Sequence, residues 1–419
     1  MPGKREFDFL IIGGGLAASS AMDGILQVAP ASKVALVTEE SEPPYQRPPL
    51  SKEYLQYPDL PRTLLHVKPE GWFEEQEGVE LLTRQKVLEL DPAAMTVTTA
   101  RGNVFGGSRI LLATGGRARR LEVPGCDLPG VFTLRTVEDS EAIREAAKVG
   151  SKAVLVGAGF VGMELAASLS VHGVASTVVE ALDRVWAGTL PPELSRWMRG
   201  HYERQGVEFR LESKVEGLVG GDAVEAVELR DDWLPCDFAV VGVGMTPCDG
   251  LASDAGLAVD DGVIVDRFGE TSHPHVYAAG DVARFPDPVF GGYSRVEHWE
   301  HAREHGWRVG RNMAGENEPY ERLSYFFSRV FGLSLDVVGR PAMASSTVIR
   351  GTPGDGPCVA LGVFEKRLCG VVLIDASEDI ENARSLIEMR APAGVLQIAT
   401  ARDASLRELV QAAARLDRD

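Results

Sequence analysis

The chain has 419 residues, 44% of them hydrophobic and 25% charged, with a formal net charge of −18. That length implies two or three domains of ordinary globular composition, and the charge opposes binding to nucleic acid or to an anionic membrane surface. There is no apolar run of about 18 residues that would span a membrane. The five cysteines (Cys126, Cys236, Cys248, Cys358 and Cys369) form no C-x-x-C pair and have no metal-ligand spacing, so the expectation is reduced, mostly buried thiols, a cytoplasmic location and no metal.

Residues 7–12, Phe-Asp-Phe-Leu-Ile-Ile, read as a buried strand. Gly13-Gly14-Gly15-Leu16-Ala17-Ala18 follows, a helix is expected to about Val28, and an apolar strand over 33–38 ends at Glu39. This is G-x-G-x-x-A in its strand-turn-helix-strand context. Gly13 permits the tight turn, Gly15 lets the backbone approach a pyrophosphate, and Ala18 allows close helix–strand packing. The helix start at Leu16 and Ala17 offers free N–H groups to phosphate, and Glu39 can accept from an adenosine ribose.

The pattern recurs. A strand over 152–156 leads into Gly157-Ala158-Gly159-Phe160-Val161-Gly162, a full G-x-G-x-x-G. A helix is expected from about Phe160 to Val171, and a strand over 175–179 leads to Glu180. Two fingerprints predict two dinucleotides and electron transfer between them, the usual pair being a flavin and a nicotinamide. A carboxylate at Glu180 suits the 2′-OH of NADH and repels the 2′-phosphate of NADPH, so NADH is the expected donor.

Basic residues cluster locally despite the acidic total. Arg109, Arg117, Arg119 and Arg120 fall in one acid-free stretch, and residues 301–350 carry seven Arg against five acids. These stretches are candidates for docking an anionic partner. His172, His201 and His305 read as surface residues, and Tyr325-Phe326-Phe327 as an aromatic run of the core.

Several further segments carry a resemblance. They are Pro44-Tyr45-Gln46-Arg47-Pro48-Pro49-Leu50-Ser51-Lys52, Leu112-Ala113-Thr114-Gly115-Gly116, Val241-Gly242-Val243-Gly244-Met245-Thr246-Pro247, Val276-Tyr277-Ala278-Ala279-Gly280-Asp281 and Arg295-Val296-Glu297-His298-Trp299. With the two fingerprints, they resemble the FAD-dependent pyridine nucleotide oxidoreductases typified by glutathione reductase. Within that family the chain is similar to the oxygenase-coupled NADH–ferredoxin reductases, with apoptosis-inducing factor and monodehydroascorbate reductase as relatives. The C-terminal segments Leu368–Ile374 and Ala383–Ile387 are similar to the small third domain of the ferredoxin reductases.

The resemblance implies an α/β fold with two Rossmann-like dinucleotide-binding domains and a small C-terminal α+β domain. The FAD domain would take 1–116 and 245–322, the NADH domain 117–244 and the C-terminal domain 323–419. It implies flavin contacts from Arg47, Lys52, Val87, Ala113, Thr114, Gly115, Gly280, Asp281, Glu297, His298, Trp299 and Phe327, and nucleotide contacts from Arg119 and Gly244 beside the fingerprint residues. In relatives a Lys and a Glu placed like Lys52 and Glu164 pair beside the flavin, where a cation stabilises negative charge and the Glu orients it.

The disulfide reductases of this family carry cysteines on the first fingerprint helix or around residues 40–45. This chain has none in either place, so the flavin must hand electrons directly to an external acceptor. A ferredoxin-type [2Fe–2S] protein is the expected partner, with a monomer or homodimer as the assembly. The alternatives are a redox-sensing flavoprotein like apoptosis-inducing factor and a reductase of a small quinone or radical.

Overall fold

The structure, a computed structural model, describes residues 5–323, 325–397 and 404–416. The chain divides into two compact units: Met1–Gln46 with Pro61–Arg117 and Met245–Arg322, and Arg47–Leu60 with Ala118–Gly244 and Leu323–Asp419. The mixed α/β class expected from the sequence is the one adopted.

The first unit is built on a seven-stranded sheet in the order Val79–Leu82, Val34–Val37, Arg5–Ile12, Val104–Leu112, Thr96–Thr99, Val87–Asp91, with Val276–Ala278 pairing parallel to Val104–Leu112. The central strands are parallel and covered on both faces, so Leu10, Ile11, Leu36, Ile110 and Leu111 are all fully buried. The helix Leu16–Val28 packs backbone to backbone on the helix Trp299–Met313. A Cβ on Gly306 would lie 2.4 Å from the Ala17 carbonyl oxygen and one on Gly310 2.0 Å from that of Ala21. Larger residues there would force the helices apart and move the first fingerprint.

The second unit holds a five-stranded parallel sheet in the order Glu208–Arg210, Ala175–Val179, Lys152–Val156, Phe238–Val241, Val131–Thr133. A three-stranded antiparallel sheet lies within the same stretch of chain. The C-terminal stretch is a five-stranded antiparallel sheet, Tyr325–Val330, Leu333–Gly339, Arg367–Ile374, Cys358–Phe364, Ser346–Arg350, followed by the helices Ile380–Glu388 and Leu406–Leu416.

The short segment Arg47–Leu60 belongs to this second unit because hydrogen bonds sew it there. Arg47 Nη1 donates to the Arg135 carbonyl (2.6 Å), Ser140 Oγ to that of Leu50 (2.7 Å) and Ser168 Oγ to that of Ser51 (2.7 Å). Tyr54 is buried, its hydroxyl donates to Glu141 (2.7 Å), and Arg144 lies over its ring. His172, expected at the surface, is half-buried with its ring nitrogen 2.9 Å from the Leu55 carbonyl oxygen.

Candidate dinucleotide sites and a buried ion pair

In the first unit three loops leave the carboxyl ends of adjacent parallel strands. Gly13 follows Arg5–Ile12, Ala113-Thr114-Gly115 follows Val104–Leu112, and Ala279-Gly280-Asp281 follows Val276–Ala278. Such an edge is where open α/β sheets bind nucleotides. Gly13 sits at φ +136, and a Cβ there would meet the Ala113 carbonyl oxygen at 2.1 Å. Gly15 faces open space, and the helix it caps has no side-chain cap and no acidic residue in its first turn. The N–H groups of Leu16, Ala17 and Ala18 are therefore left for an external anion, as a dinucleotide pyrophosphate requires.

The other predicted residues of this unit are distributed as follows. Glu39 is exposed near Lys86, at 3.6 Å. Val87 opens a strand and packs half-buried against the core beneath. Thr114 Oγ1 donates to the Cys248 carbonyl (2.9 Å). Gly280, at φ +74, approaches so closely that a Cβ would stand 2.6 Å from that of Ala17. Arg295 joins the Asp281 carbonyl oxygen (3.3 Å) to the Glu297 carboxylate (2.5 Å). His298 caps the helix that begins at Trp299, and burial pushes its imidazole down to about 4.

His305 corrects the sequence reading. It is not a surface residue but 1% exposed, packed with Phe285, His301 and Tyr320, and its Nδ1 accepts from the Gly280 N–H (3.3 Å). Burial drives it down to about 3, so it is a neutral acceptor behind the Gly280 turn. His301 and His305 lie on the buried side of their helix with Gly306, Val309 and Gly310, while Arg303 lies on the exposed side and Arg308 and Arg311 are only partly buried.

In the second unit the other fingerprint repeats the construction with Gly162 where the first has Ala18. Gly157 lies at φ +105, its Cβ position 2.4 Å from the Gly242 carbonyl oxygen, and a Cβ on Gly162 would lie 1.9 Å from the Gly157 oxygen. Gly159 faces open space, and the helix Phe160–Val171 again lacks a side-chain cap and any first-turn acid. Glu180 is fixed by two backbone N–H groups of other residues. Its Oε2 accepts from Ala158 N–H (2.7 Å) and its Oε1 from Leu182 N–H (2.9 Å), which sets the carboxylate at the fingerprint turn. Arg119 is exposed, with its N–H on the Gly244 carbonyl (2.9 Å).

The same unit brings Lys52 and Glu164 together. Both are buried, at 6% exposure each, with Nζ 2.6 Å from Oε2. Two residues to which the sequence reading gave no role complete the arrangement. Ser51 Oγ donates to the same Oε2, and Ser328 Oγ donates to Oε1 (2.7 Å). A carboxylate accepting from an ammonium and two hydroxyls in a dry site is held in a fixed orientation. Ser51 lies in the Pro-rich segment that carries the resemblance and Ser328 follows an aromatic run, but neither position marks the serine as a donor to Glu164. Phe326 of that run packs edge-on against Phe160, with centroids 4.3 Å apart, while Phe327 lies on the opposite face of its strand, half-buried beneath Arg329.

Acidic neighbours pair with most of the arginines of 301–350, and with Arg120 of the acid-free stretch. In the first unit Arg303 pairs with Glu304 (2.6 Å), Arg308 with Glu316 and Glu318, Arg311 with Glu316, and Arg322 with Glu300 (3.4 Å). In the second, Arg120 pairs with Asp127 (2.8 Å) and Arg329 with Asp336 (3.3 Å). The cysteines are free, and burial raises the thiols of Cys236 and Cys358 to about 11. Among the described residues no cluster could hold a metal ion, and no helix is long and apolar enough to cross a membrane.

Comparison with known proteins agrees with this geometry. Residues 7–306 match the family model for pyridine nucleotide-disulphide oxidoreductases, and residues 325–410 the model for the reductase C-terminal region. The chain is 34% identical to the 5,5'-dehydrodivanillate O-demethylase ferredoxin reductase subunit of Sphingobium sp., over 91% of this chain and 93% of that protein. It is 32% identical to the benzene 1,2-dioxygenase system ferredoxin–NAD(+) reductase subunit of Pseudomonas putida, over 90% and 92%. Among solved structures it resembles the ferredoxin reductase for the CYP199A2 system from Rhodopseudomonas palustris, with a TM-score of 0.88 and 32% identity, covering 93% of this chain and 96% of that one. It also resembles the reductase in the covalent putidaredoxin reductase–putidaredoxin complex, with a TM-score of 0.91 and 26% identity, covering 98% and 99%. The chain therefore belongs to the pyridine nucleotide-disulphide oxidoreductase family.

Proposed function

We propose that this protein is an NADH-dependent flavoprotein reductase that passes electrons through FAD to a ferredoxin-type [2Fe–2S] protein. The observation that carries the reading is the buried Lys52–Glu164 pair beside the second glycine fingerprint, in a chain with no cysteine before Cys126. A disulfide reductase needs thiols at the flavin, whereas a reductase that empties its flavin outward needs only a fixed charge there.

Residues 1–116 and 245–322 bind FAD, with Gly13, Gly15 and the Leu16–Val28 helix start at its pyrophosphate and Gly280-Asp281 beside them. Residues 117–244 bind NADH, with Gly157, Gly159 and Gly162 at the phosphates and Glu180 at the ribose. Residues 323–419 form the third domain. FAD, when bound, supplies the centre that takes a hydride from NADH and gives up electrons singly. Lys52 presents a cation that favours negative charge on its neighbour, Glu164 keeps that ammonium in place, and the packed residues around the pair exclude water. The free thiols, of which Cys236, Cys358 and Cys369 are buried, support a reducing, cytoplasmic location.

The experiment is an anaerobic titration of the holoprotein with NADH, followed by turnover with cytochrome c in the presence and absence of a [2Fe–2S] ferredoxin. Full bleaching by one equivalent of NADH and ferredoxin-dependent turnover support the reading. A long-lived NADH complex that reduces no ferredoxin would overturn it.

A further inference from the structure

The C-terminal strand Tyr325–Val330 reaches the first turns of the helix Phe160–Val171 at two points. Phe326 packs on Phe160, and Ser328 donates to Glu164. The spacing is matched. Two residues along a strand advance about 6.6 Å, and four along a helix about 6 Å, so positions 326 and 328 fall opposite 160 and 164. The opposite face of the strand is tied down too, because Arg329 pairs with Asp336 (3.3 Å), which is fully buried and also accepts from Ser377 Oγ (2.5 Å).

We propose that Ser328 is a positioning residue for the Lys52–Glu164 pair, so that the C-terminal segment sets the orientation of a group in the nucleotide-binding machinery. The inference rests on the reading of Lys52 and Glu164 as the charge pair that serves the flavin.

Three donors hold the two carboxylate oxygens of Glu164. Oε2 of Glu164 is held by Lys52 Nζ and Ser51 Oγ, both from the Arg47–Leu60 segment. Those two bonds fix one oxygen and leave the carboxylate free to rotate about it. Ser328 supplies the donor to Oε1, and Ser328 is fully buried, so solvent cannot replace it there. Tyr202, the neighbouring buried phenol, does not substitute, because its hydroxyl donates to the Met163 carbonyl (3.1 Å). With Ser328 the carboxylate has one orientation, and the ammonium it holds has one position.

The test uses the purified holoprotein with NADH as the only substrate, under anaerobic stopped flow, together with the flavin midpoint potential by equilibrium titration. Ser328→Ala, Ser328→Thr, Lys52→Met and Lys52→Met/Ser328→Ala are compared, with flavin content and thermal midpoint recorded for each. Ser328→Ala is expected to slow flavin reduction about tenfold with little change in the NADH concentration at half-maximal rate, and to lower the potential. Ser328→Thr, which keeps the hydroxyl on a β-branched residue suited to a strand, should restore both. In the Lys52→Met background Ser328→Ala should add less than twofold, since the group it positions is gone.

If Lys52→Met itself changes neither rate nor potential, the functional reading of the pair fails. If Lys52→Met changes both but Ser328→Ala changes neither, or changes them equally in both backgrounds, the positioning role fails alone. If Ser328→Ala folds poorly, lack of rescue by a folded Ser328→Thr overturns the proposal equally.

Discussion

Replacing Lys52 with Met keeps most of the side-chain volume and removes the ammonium. Glu164 is then left as a buried carboxylate, 6% exposed, with the hydroxyls of Ser51 and Ser328 as its remaining donors. Breaking a buried ion pair by removing one partner costs about 3–5 kcal/mol, because the survivor is uncompensated. The two hydroxyls, hydrogen-bonded to a charged group, offset part of that, which places the expected loss at about 3 kcal/mol. In Lys52→Met/Glu164→Gln no charge is buried and the amide oxygen still accepts from a serine, so the loss should shrink to about 1–2 kcal/mol. Urea unfolding followed by tryptophan fluorescence reads this directly, since Trp186 is buried in the same unit. A double variant at least as unstable as Lys52→Met alone would refute the claim that the pair is a desolvated, mutually dependent unit.

Three further outcomes follow from the same structure. Gly162→Ala, whose Cβ would lie 1.9 Å from the Gly157 carbonyl oxygen, should abolish NADH binding while leaving flavin content intact; Gly13→Ala, 2.1 Å from the Ala113 oxygen at φ +136, should yield protein without flavin. Flavin absorbance and NADH titration separate the two, and the reverse pattern would exchange the fingerprint assignments. Wild-type kcat/KM should favour NADH over NADPH, and Glu180→Gln should narrow the preference by about tenfold; equal use of both cofactors by the wild type contradicts the role of Glu180. His301 and His305 are buried neutral, the first held well below its ordinary value and the second at about 3, by burial above all. The unfolded chain takes up these protons near pH 6.5, so their contribution is full above that pH and is lost as pH falls below it, by about 2 kcal/mol at pH 5 for His305, with His301 acting in the same direction. An unfolding midpoint unchanged between pH 7.5 and pH 5 contradicts this.

The two fingerprints were legible because their spacing follows from backbone chemistry. Gly13 and Gly157 adopt positive φ, Gly15 and Gly159 leave an open approach, and Gly162 closes against Gly157, all within one local stretch of chain. The Lys52–Glu164 pairing was legible through family likeness, because 112 residues separate its members and no local pattern joins them. Ser51 and Ser328 escaped notice because a serine inside a turn or an aromatic strand looks like ordinary filler until the fold puts a carboxylate opposite it. The reading of His305 as a surface residue fails because a polar residue on a helix need not face solvent: it packs with Phe285, His301 and Tyr320 on the buried side. Residues 301–350 count as basic in the sequence, yet Glu304, Glu316, Glu318 and Asp336 accept Arg303, Arg308, Arg311 and Arg329 of that stretch, a pairing the local charge count does not show.

The most direct test of the account is electron delivery. Under anaerobic conditions the holoprotein, NADH and a [2Fe–2S] ferredoxin are mixed, and the ferredoxin spectrum is followed. The account predicts reduction of two ferredoxins per NADH, at a rate that rises with ferredoxin concentration and collapses in Lys52→Met. NADH that bleaches the flavin while the ferredoxin stays oxidised, whatever its concentration, would contradict it.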